Sequence, residues 1–116
     1  MRHKSIKVTL DRKTAARRSL MANMAESLVL YEKIKTTKAK AKAVRSFTER
    51  LITKAKIQDL TARRELMKVL YTENAIKKLM EVLAPKYKDR KGGYTRIVLF
   101  KNRKGDGAEE VILELV

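Results

Sequence analysis

From about Lys13 onward, apolar residues return with helical spacing. Ala16, Leu20, Met24 and Leu28 recur every four positions, with Met21 and Tyr31 beside them, predicting an amphipathic helix to about Leu30. Asp11 and Thr14 are candidate caps for its start. Residues 33–36 (KIKT) form a short stretch suited to a strand. A second stripe runs through Val44, Phe47, Leu51 and Ala55, with Ile52 alongside, and Thr37 stands where its N-cap belongs. Two more helices are expected. Asp59 caps one carrying Leu66, Met67 and Leu70, and Thr72 caps another carrying Ile76, Leu79, Met80 and Leu83. Pro85, the single proline, ends that run because it cannot continue the backbone ladder. Residues 86–93 (KYKDRKGG) read as a basic loop, and residues 94–100 (YTRIVLF) and 110–116 (EVILELV) as strands. Between the strands NRKGDG supplies the Gly and Asp of a hairpin loop longer than two residues.

This order predicts an α+β fold, a two-layer α/β sandwich with elements α-β-α-α-α-β-β. A small three-stranded mixed sheet would be covered by helices on one face. There is neither an internal repeat nor a linker, so residues 1–12 read as a basic N-terminal arm and 13–116 as one domain. A chain of 116 residues buries roughly two-thirds of its unfolded surface, enough for a core without staples. The stretch 32–45, EKIKTTKAKAKAVR, looks like low complexity in isolation. Alanine and lysine are both good helix formers, and the stripe that begins at Val44 continues from it. It is therefore assigned to the first turns of the second helix.

Charge changes the picture most. Lys and Arg number 29 against 13 Asp and Glu, a net +16, which calls for a polyanionic partner. Residues 1–56 carry 16 basic and 4 acidic side chains, residues 57–116 carry 13 and 9, so the partner is expected mainly against the first half. The absence of cysteine excludes disulfides, thiolate catalysis and Cys-based zinc sites, and fits a reducing cytosol. No apolar run approaches the roughly 20 residues of a membrane span. The start, MRHKSIKVTLDRK, has no apolar core of a secretory signal and reads as a short basic arm.

Candidate enzymatic chemistry is nearly absent. His3 is the only histidine, so no histidine-based nucleophile or metal cluster has its partners. Glu109 and Glu110 would point to opposite strand faces, and Gly92-Gly93 lacks the spacing of a nucleotide-binding loop. No cofactor is expected. What remains is a basic surface. Lysines such as Lys40 and Lys42 near a helix start oppose the dipole unless phosphates sit there; the alternative is a solvated lysine face. Arg12, Arg17 and Arg18 flank the first stripe and serve either a solvated face or a polyanion. Arg90, Lys91, Gly92, Gly93, Tyr94 and Arg96 form the best constellation of the second half, with forked donors beside glycines that let a backbone approach. Its plain alternative is a glycine turn entering a strand. Tyr31, Phe47, Tyr71 and Phe100 are expected in the core, leaving Tyr87 and Tyr94 as candidates to stack a base. Two rings make no single-strand platform, so binding should run through phosphates, sugars and shape, as for folded RNA.

The start MRH, the segment IKTT with KAK shortly after it (34–42), RKGGYTR (90–96) and the terminal ELV (114–116) occur in order along the chain. Together they resemble the bacterial large-subunit ribosomal protein seventeen family over essentially the whole length. The resemblance implies a non-enzymatic, cytoplasmic component of the large ribosomal subunit, bound to large-subunit rRNA near the peptide exit tunnel. It also implies neighbouring ribosomal proteins as partners, with no membrane, small-molecule substrate or obligate homo-oligomer. Carried over by position, the RNA-facing residues are Arg2, His3, Lys4, Arg12, Arg17, Thr36, Thr37, Lys40, Lys42, Arg45, Arg90, Gly92, Gly93, Tyr94 and Arg96. Two departures stand out. The family's His-Arg pair in the first helix is Ala16-Arg17 here, and Gly107 replaces a usual alanine and is expected to loosen its turn. Two other classes compete. A DNA-binding regulator would use residues 59–83 as a helix-turn-helix, but its second helix offers only Lys77 and Lys78 beside Glu73 and Glu81. A membrane-surface peptide would share the basic helices but not the strands.

Overall fold

The computed structural model describes residues 9–116. The expected arm residues Arg2, His3 and Lys4 lie outside that range. Helix α1 (Thr14–Tyr31) leads into strand β1 (Lys33–Thr37) and helix α2 (Lys38–Ala55). Helices α3 (Leu60–Val69) and α4 (Glu73–Lys78) follow, then a π-helical turn (Leu79–Leu83) and the short α5 (Ala84–Lys86). The hairpin of β2 (Thr95–Asn102) and β3 (Glu109–Leu115) completes the fold.

The sheet has the order β1-β3-β2, and both ladders are antiparallel where a mixed sheet was expected. The short β2–β3 loop forces an antiparallel hairpin. Strand β3 takes the centre because its alternate residues Val111, Leu113 and Leu115 are all buried against the helices. Its other face carries Glu110, Ile112 and Glu114. Register is fixed by charge as well as burial: Glu114 stands opposite both Lys33 and Arg96, with the Arg96 Nε donating at 2.6 Å. That guanidinium holds the Glu114 carboxyl below the usual carboxylate range.

The core runs from Ala25, Leu28 and Val29 of α1 through Val44 and Ile52 of α2 to Leu66, Leu79, Leu83 and the inner face of β3. The early part of the first stripe does not join it. No residue of α1 before Ala22 is buried, and Ala16 is exposed. Met67, expected inside, is also exposed. Phe47 packs against the core as expected, but the other aromatic assignments invert. Tyr31, Tyr71 and Phe100 are exposed, whereas Tyr87 and Tyr94 are buried with ring centroids 5.2 Å apart. Phe100 sits at a β-bulge between Leu99 and Lys101, under the ammonium groups of Lys35 and Lys101.

Helix ends show how little capping followed the local sequence. Asp59 caps α3 as expected, accepting from the Ala62 N–H at 2.7 Å. Neither Thr37 nor Thr72 makes a side-chain cap, and α1 begins after Lys13 without one. Instead α1 and α4 cap each other. The buried Glu26 carboxylate of α1 accepts the Tyr71 and Thr72 N–H groups at the start of α4. Lys78 of α4 donates to the Leu30 carbonyl at 3.0 Å near the end of α1 and pairs with Glu32. Each charge complements the dipole of the helix end that it meets.

Pro85 does not end the last helical run, which continues to Lys86. The wide π turn relieves the clash that a proline ring imposes on an α-helix. In that register the Ala84 N–H bonds the Leu79 carbonyl, so Pro85, lacking an N–H, leaves the Met80 carbonyl without its helical donor. The Gln58 side-chain amide fills the gap at 2.7 Å, with Gln58 itself held at φ 62. A backbone defect in one element is thereby repaired by the turn between α2 and α3.

The β2–β3 loop is closed by Arg103 and Asp106. The Arg103 Nε donates to Asp106 at 3.1 Å, the Ala108 N–H adds a second bond at 3.1 Å, and the carboxyl is lowered to about 2. Gly107, expected to loosen this turn, closes it, at φ 70 with its N–H on the Arg103 carbonyl at 3.0 Å. An unfolded aspartate titrates near about 3.9. The bonds therefore support the folded loop above that pH and are lost as pH falls through the depressed value. A carboxyl NMR titration should place the Asp106 midpoint near about 2, with loop amide shifts moving in step. Asp106→Asn should abolish the step, and a midpoint near about 4 would show the pair absent in solution.

Candidate nucleic-acid interface

Cations fall into two populations. On the sheet Lys33 and Arg96 are matched by Glu114 and Lys35 by Glu110, and beside it Lys38 at the start of α2 meets Glu109. Elsewhere Arg45, Lys54, Arg63, Lys77, Lys78 and Arg103 also meet carboxylates, but other cations do not. Among the described residues, no carboxylate lies within ion-pair distance of Arg12, Arg17, Arg18, Lys40, Lys42 or Arg90. Leaving cations unmatched costs self-repulsion that only an external anion removes.

The first unmatched group lies at the projecting start of α1. Thr9 to Arg12 forms a turn closed by the Arg12 N–H on the Thr9 carbonyl at 3.1 Å, with Leu10 and Asp11 both at positive φ. The Arg17 guanidinium reaches back to the Arg12 carbonyl at 3.3 Å, tying turn to helix. Arg12 and Arg18 are exposed and Arg17 is half-buried. Ala16 leaves an open surface where the resemblance would place a histidine.

The second group surrounds the start of α2. Thr36 and Thr37 are half-buried strand residues, paired opposite Val111 and Glu110. Thr37, Lys38, Ala39, Lys42, Ala108 and Glu109 line a shallow concavity there. The first turn of α2 has no acidic residue and no side-chain cap, so its leading N–H groups remain available to an anion. Lys40 and Lys42 follow, and Arg45 pairs loosely with Glu49 at 4.0 Å.

The third group, the 90–96 segment, sits at the other end of α2, roughly 25 Å along the helix from Lys40. Arg90 is exposed and its guanidinium meets the Gly93 carbonyl at 3.5 Å. Gly92 and Gly93 adopt φ 91 and φ 63, and a Cβ at either position would meet nothing within 4 Å. Positive φ explains the glycines, and the open space leaves their backbone approachable. Tyr94 is different: its ring is 1% exposed and does not offer a stacking face. Burial alone would push its hydroxyl up, but bonds with Thr53 and Lys56 bring it below the ordinary tyrosine value. Arg96 projects from the outer sheet face, engaged by Glu114. The expected residues thus form three separate cationic sites and not one patch.

Residues 59–83 do not supply a recognition helix. Lys77 is paired with Glu73 at 3.8 Å and Lys78 is used on α1. Among the described residues, no helix is long and apolar enough to cross a membrane.

A compact α+β domain with unmatched cations distributed over separate sites defines a class of protein that docks onto an extended, folded polyanion. Comparison with known proteins makes this specific. The family description "Ribosomal protein L17" matches residues 20–116. The large ribosomal subunit protein bL17 of Syntrophotalea carbinolica is 47% identical over 116 residues, covering 100% of this chain and 75% of the relative. That of Solibacter usitatus is 49% identical, covering 100% and 77%. That of Hydrogenobaculum sp. is 49% identical over 117 residues, covering 100% and 99%. The chain belongs to the ribosomal protein L17 family. It is a structural, non-enzymatic constituent of the bacterial large ribosomal subunit that binds rRNA through its basic surface, with rRNA and ribosomal proteins as partners.

Proposed function

We propose that this L17-family protein fixes large-subunit rRNA at the three unmatched cationic sites, near the peptide exit tunnel. Arg12, Arg17 and Arg18 grip one segment from the start of α1. Thr36, Thr37, Lys40, Lys42 and Arg45 hold phosphates at the start of α2. Arg90, Gly92 and Gly93 present guanidinium and backbone N–H groups to a third segment, and Tyr94 shapes that loop from within. Residues 1–12, with Arg2, His3 and Lys4, extend the contact as an arm, and residues 13–116 dock as a single body. Lys33, Lys35 and Arg96 on the outer face of the sheet contribute little to phosphate binding, since they already have carboxylates. A core closed within one chain supports docking as a single copy, without a second protomer.

The observation that carries this reading is that, among the described residues, Arg12, Arg17, Arg18, Lys40, Lys42 and Arg90 have no carboxylate within ion-pair distance. Binding of the full chain to large-subunit rRNA fragments should weaken with salt at a log–log slope of roughly −0.7 to −0.9 per phosphate neutralised. Equal affinity for random duplex DNA at matched salt would overturn it, because shape and ribose contacts would then contribute nothing.

A further inference from the structure

Lys56 counts among the 29 basic residues, yet its ammonium is turned inward onto the RNA-facing loop. It stands at the end of α2, its N–H on the Ile52 carbonyl at 3.0 Å. Its Nζ donates to the Arg90 carbonyl at 2.6 Å and to the Tyr94 hydroxyl at 3.1 Å, and lies 5.2 Å from the centre of the Tyr94 ring. The two anchors bracket Lys91, Gly92 and Gly93. Among the described residues, the N–H groups of those three donate to no backbone carbonyl. The flanking backbone is bonded on each side, by the Arg90 N–H on the Tyr87 carbonyl at 3.0 Å and the Val116 N–H on the Tyr94 carbonyl at 2.9 Å. The bracketed segment relies on side chains: a 3.5 Å contact from Arg90 to the Gly93 carbonyl, the Tyr94 hydroxyl on the Gly92 backbone, and Lys56. Glycines at positive φ are the residues with most conformational freedom to lose. Without a clasp the loop would pay that ordering cost on meeting RNA.

We propose that Lys56 is a positioning residue for rRNA binding, a clasp that joins the Arg90 carbonyl to the Tyr94 hydroxyl and so pre-orders the Gly92-Gly93 backbone. The proposal rests on the reading of the 90–96 loop as an rRNA contact. It separates Lys56 from the phosphate-binding lysines, because a clasp acts on loop order and a phosphate contact acts on counterion release.

The test uses the full chain with Lys56→Met, Lys56→Arg, Tyr94→Phe and Arg90→Ala. Amide hydrogen exchange at Gly92 and Gly93 is followed in the free protein, and rRNA-fragment affinity across a salt series. Lys56→Met should accelerate exchange and weaken binding about tenfold, the loss of hydrogen bonds to a charged donor, with the salt slope unchanged. Lys56→Arg should recover most of both. Tyr94→Phe removes one anchor while keeping the ring, and should move both readouts the same way by less; it carries the test if Lys56→Met fails to fold. Weakened binding with unchanged exchange and a slope shallower by about 0.7–0.9 would make Lys56 a phosphate contact and overturn the clasp. Arg90→Ala losing affinity while Lys56→Met binds normally would also overturn it, leaving the loop reading intact. If neither variant loses affinity, the loop reading itself fails and the proposal falls with it.

Discussion

Replacing Lys40, Lys42 and Arg45 together by alanine is expected to weaken rRNA binding by about 100- to 500-fold at roughly 0.1 M salt. Each phosphate contact contributes about 0.7 to 0.9 to the log–log salt slope, and hence nearly a decade of affinity at that concentration. The slope itself should become shallower by about two to three. Stability should not follow. Lys42 and Arg45 are exposed and Lys40 is half-buried. The one ion pair removed, Arg45 with Glu49 at 4.0 Å, is of a kind worth about 0.5 kcal/mol or less. Alanine is the better helix former, and removing cations near the start of α2 relieves repulsion with its dipole. Thermal unfolding of the free variant should therefore occur at or above the parent temperature. Binding traded against stability in this direction marks a site kept for its ligand. A variant that unfolds early yet binds like the parent would place these side chains in the scaffold.

Much of the helical layer was legible in the sequence because a helix announces itself through local spacing. The stripes through Val44, Leu51 and Ala55 and through Leu66 and Leu70 lie in the core. The site was legible by residue type alone. What the sequence could not state was which cations would find carboxylates. Arg96 and Lys42 look alike in the chain, but one meets Glu114 across a strand ladder and the other, among the described residues, has no carboxylate within ion-pair distance. Lys56 was missed for the same reason: its partners are 34 and 38 residues away. A lysine at the end of a helix carries no local signal for such a clasp.

The aromatic inversion has a similar cause. Tyr94 and Tyr87 look exposed in a basic loop and turn, but the loop folds under the end of α2. Tyr87 donates to the Val116 carbonyl at 2.8 Å, and Tyr94 is drawn in by Thr53 and Lys56. Phe100 belongs to an apolar run, yet a bulge on an edge strand turns it to the open face of the sheet. Burial in a sheet depends on order and register, which are properties of the assembled fold. The sheet expected to be mixed is wholly antiparallel: the short hairpin loop sets β2 against β3, and the direction of β1 on β3 is set by the assembled fold.

Glu26 is where that non-local logic has its largest energetic expression. Glu26→Ala is expected to destabilise the free protein by about 3 kcal/mol, lowering the unfolding temperature by about 10 °C. The carboxylate is 7% exposed and accepts two backbone N–H groups, those of Tyr71 and Thr72. These lie where Thr72 fails to cap α4 with its own side chain. Truncation leaves both donors without a partner beside the core and removes the negative charge from the positive end of α4. Helix propensity cannot account for a loss, because alanine favours α1 more than glutamate does. Glu26→Gln keeps one acceptor oxygen and should cost about 1 kcal/mol. The ordering alanine below glutamine below glutamate in unfolding temperature is the signature of a cap contributed from another helix. If the alanine variant melts within a degree or two of the parent, water satisfies the turn and α4 does not depend on α1 for its start.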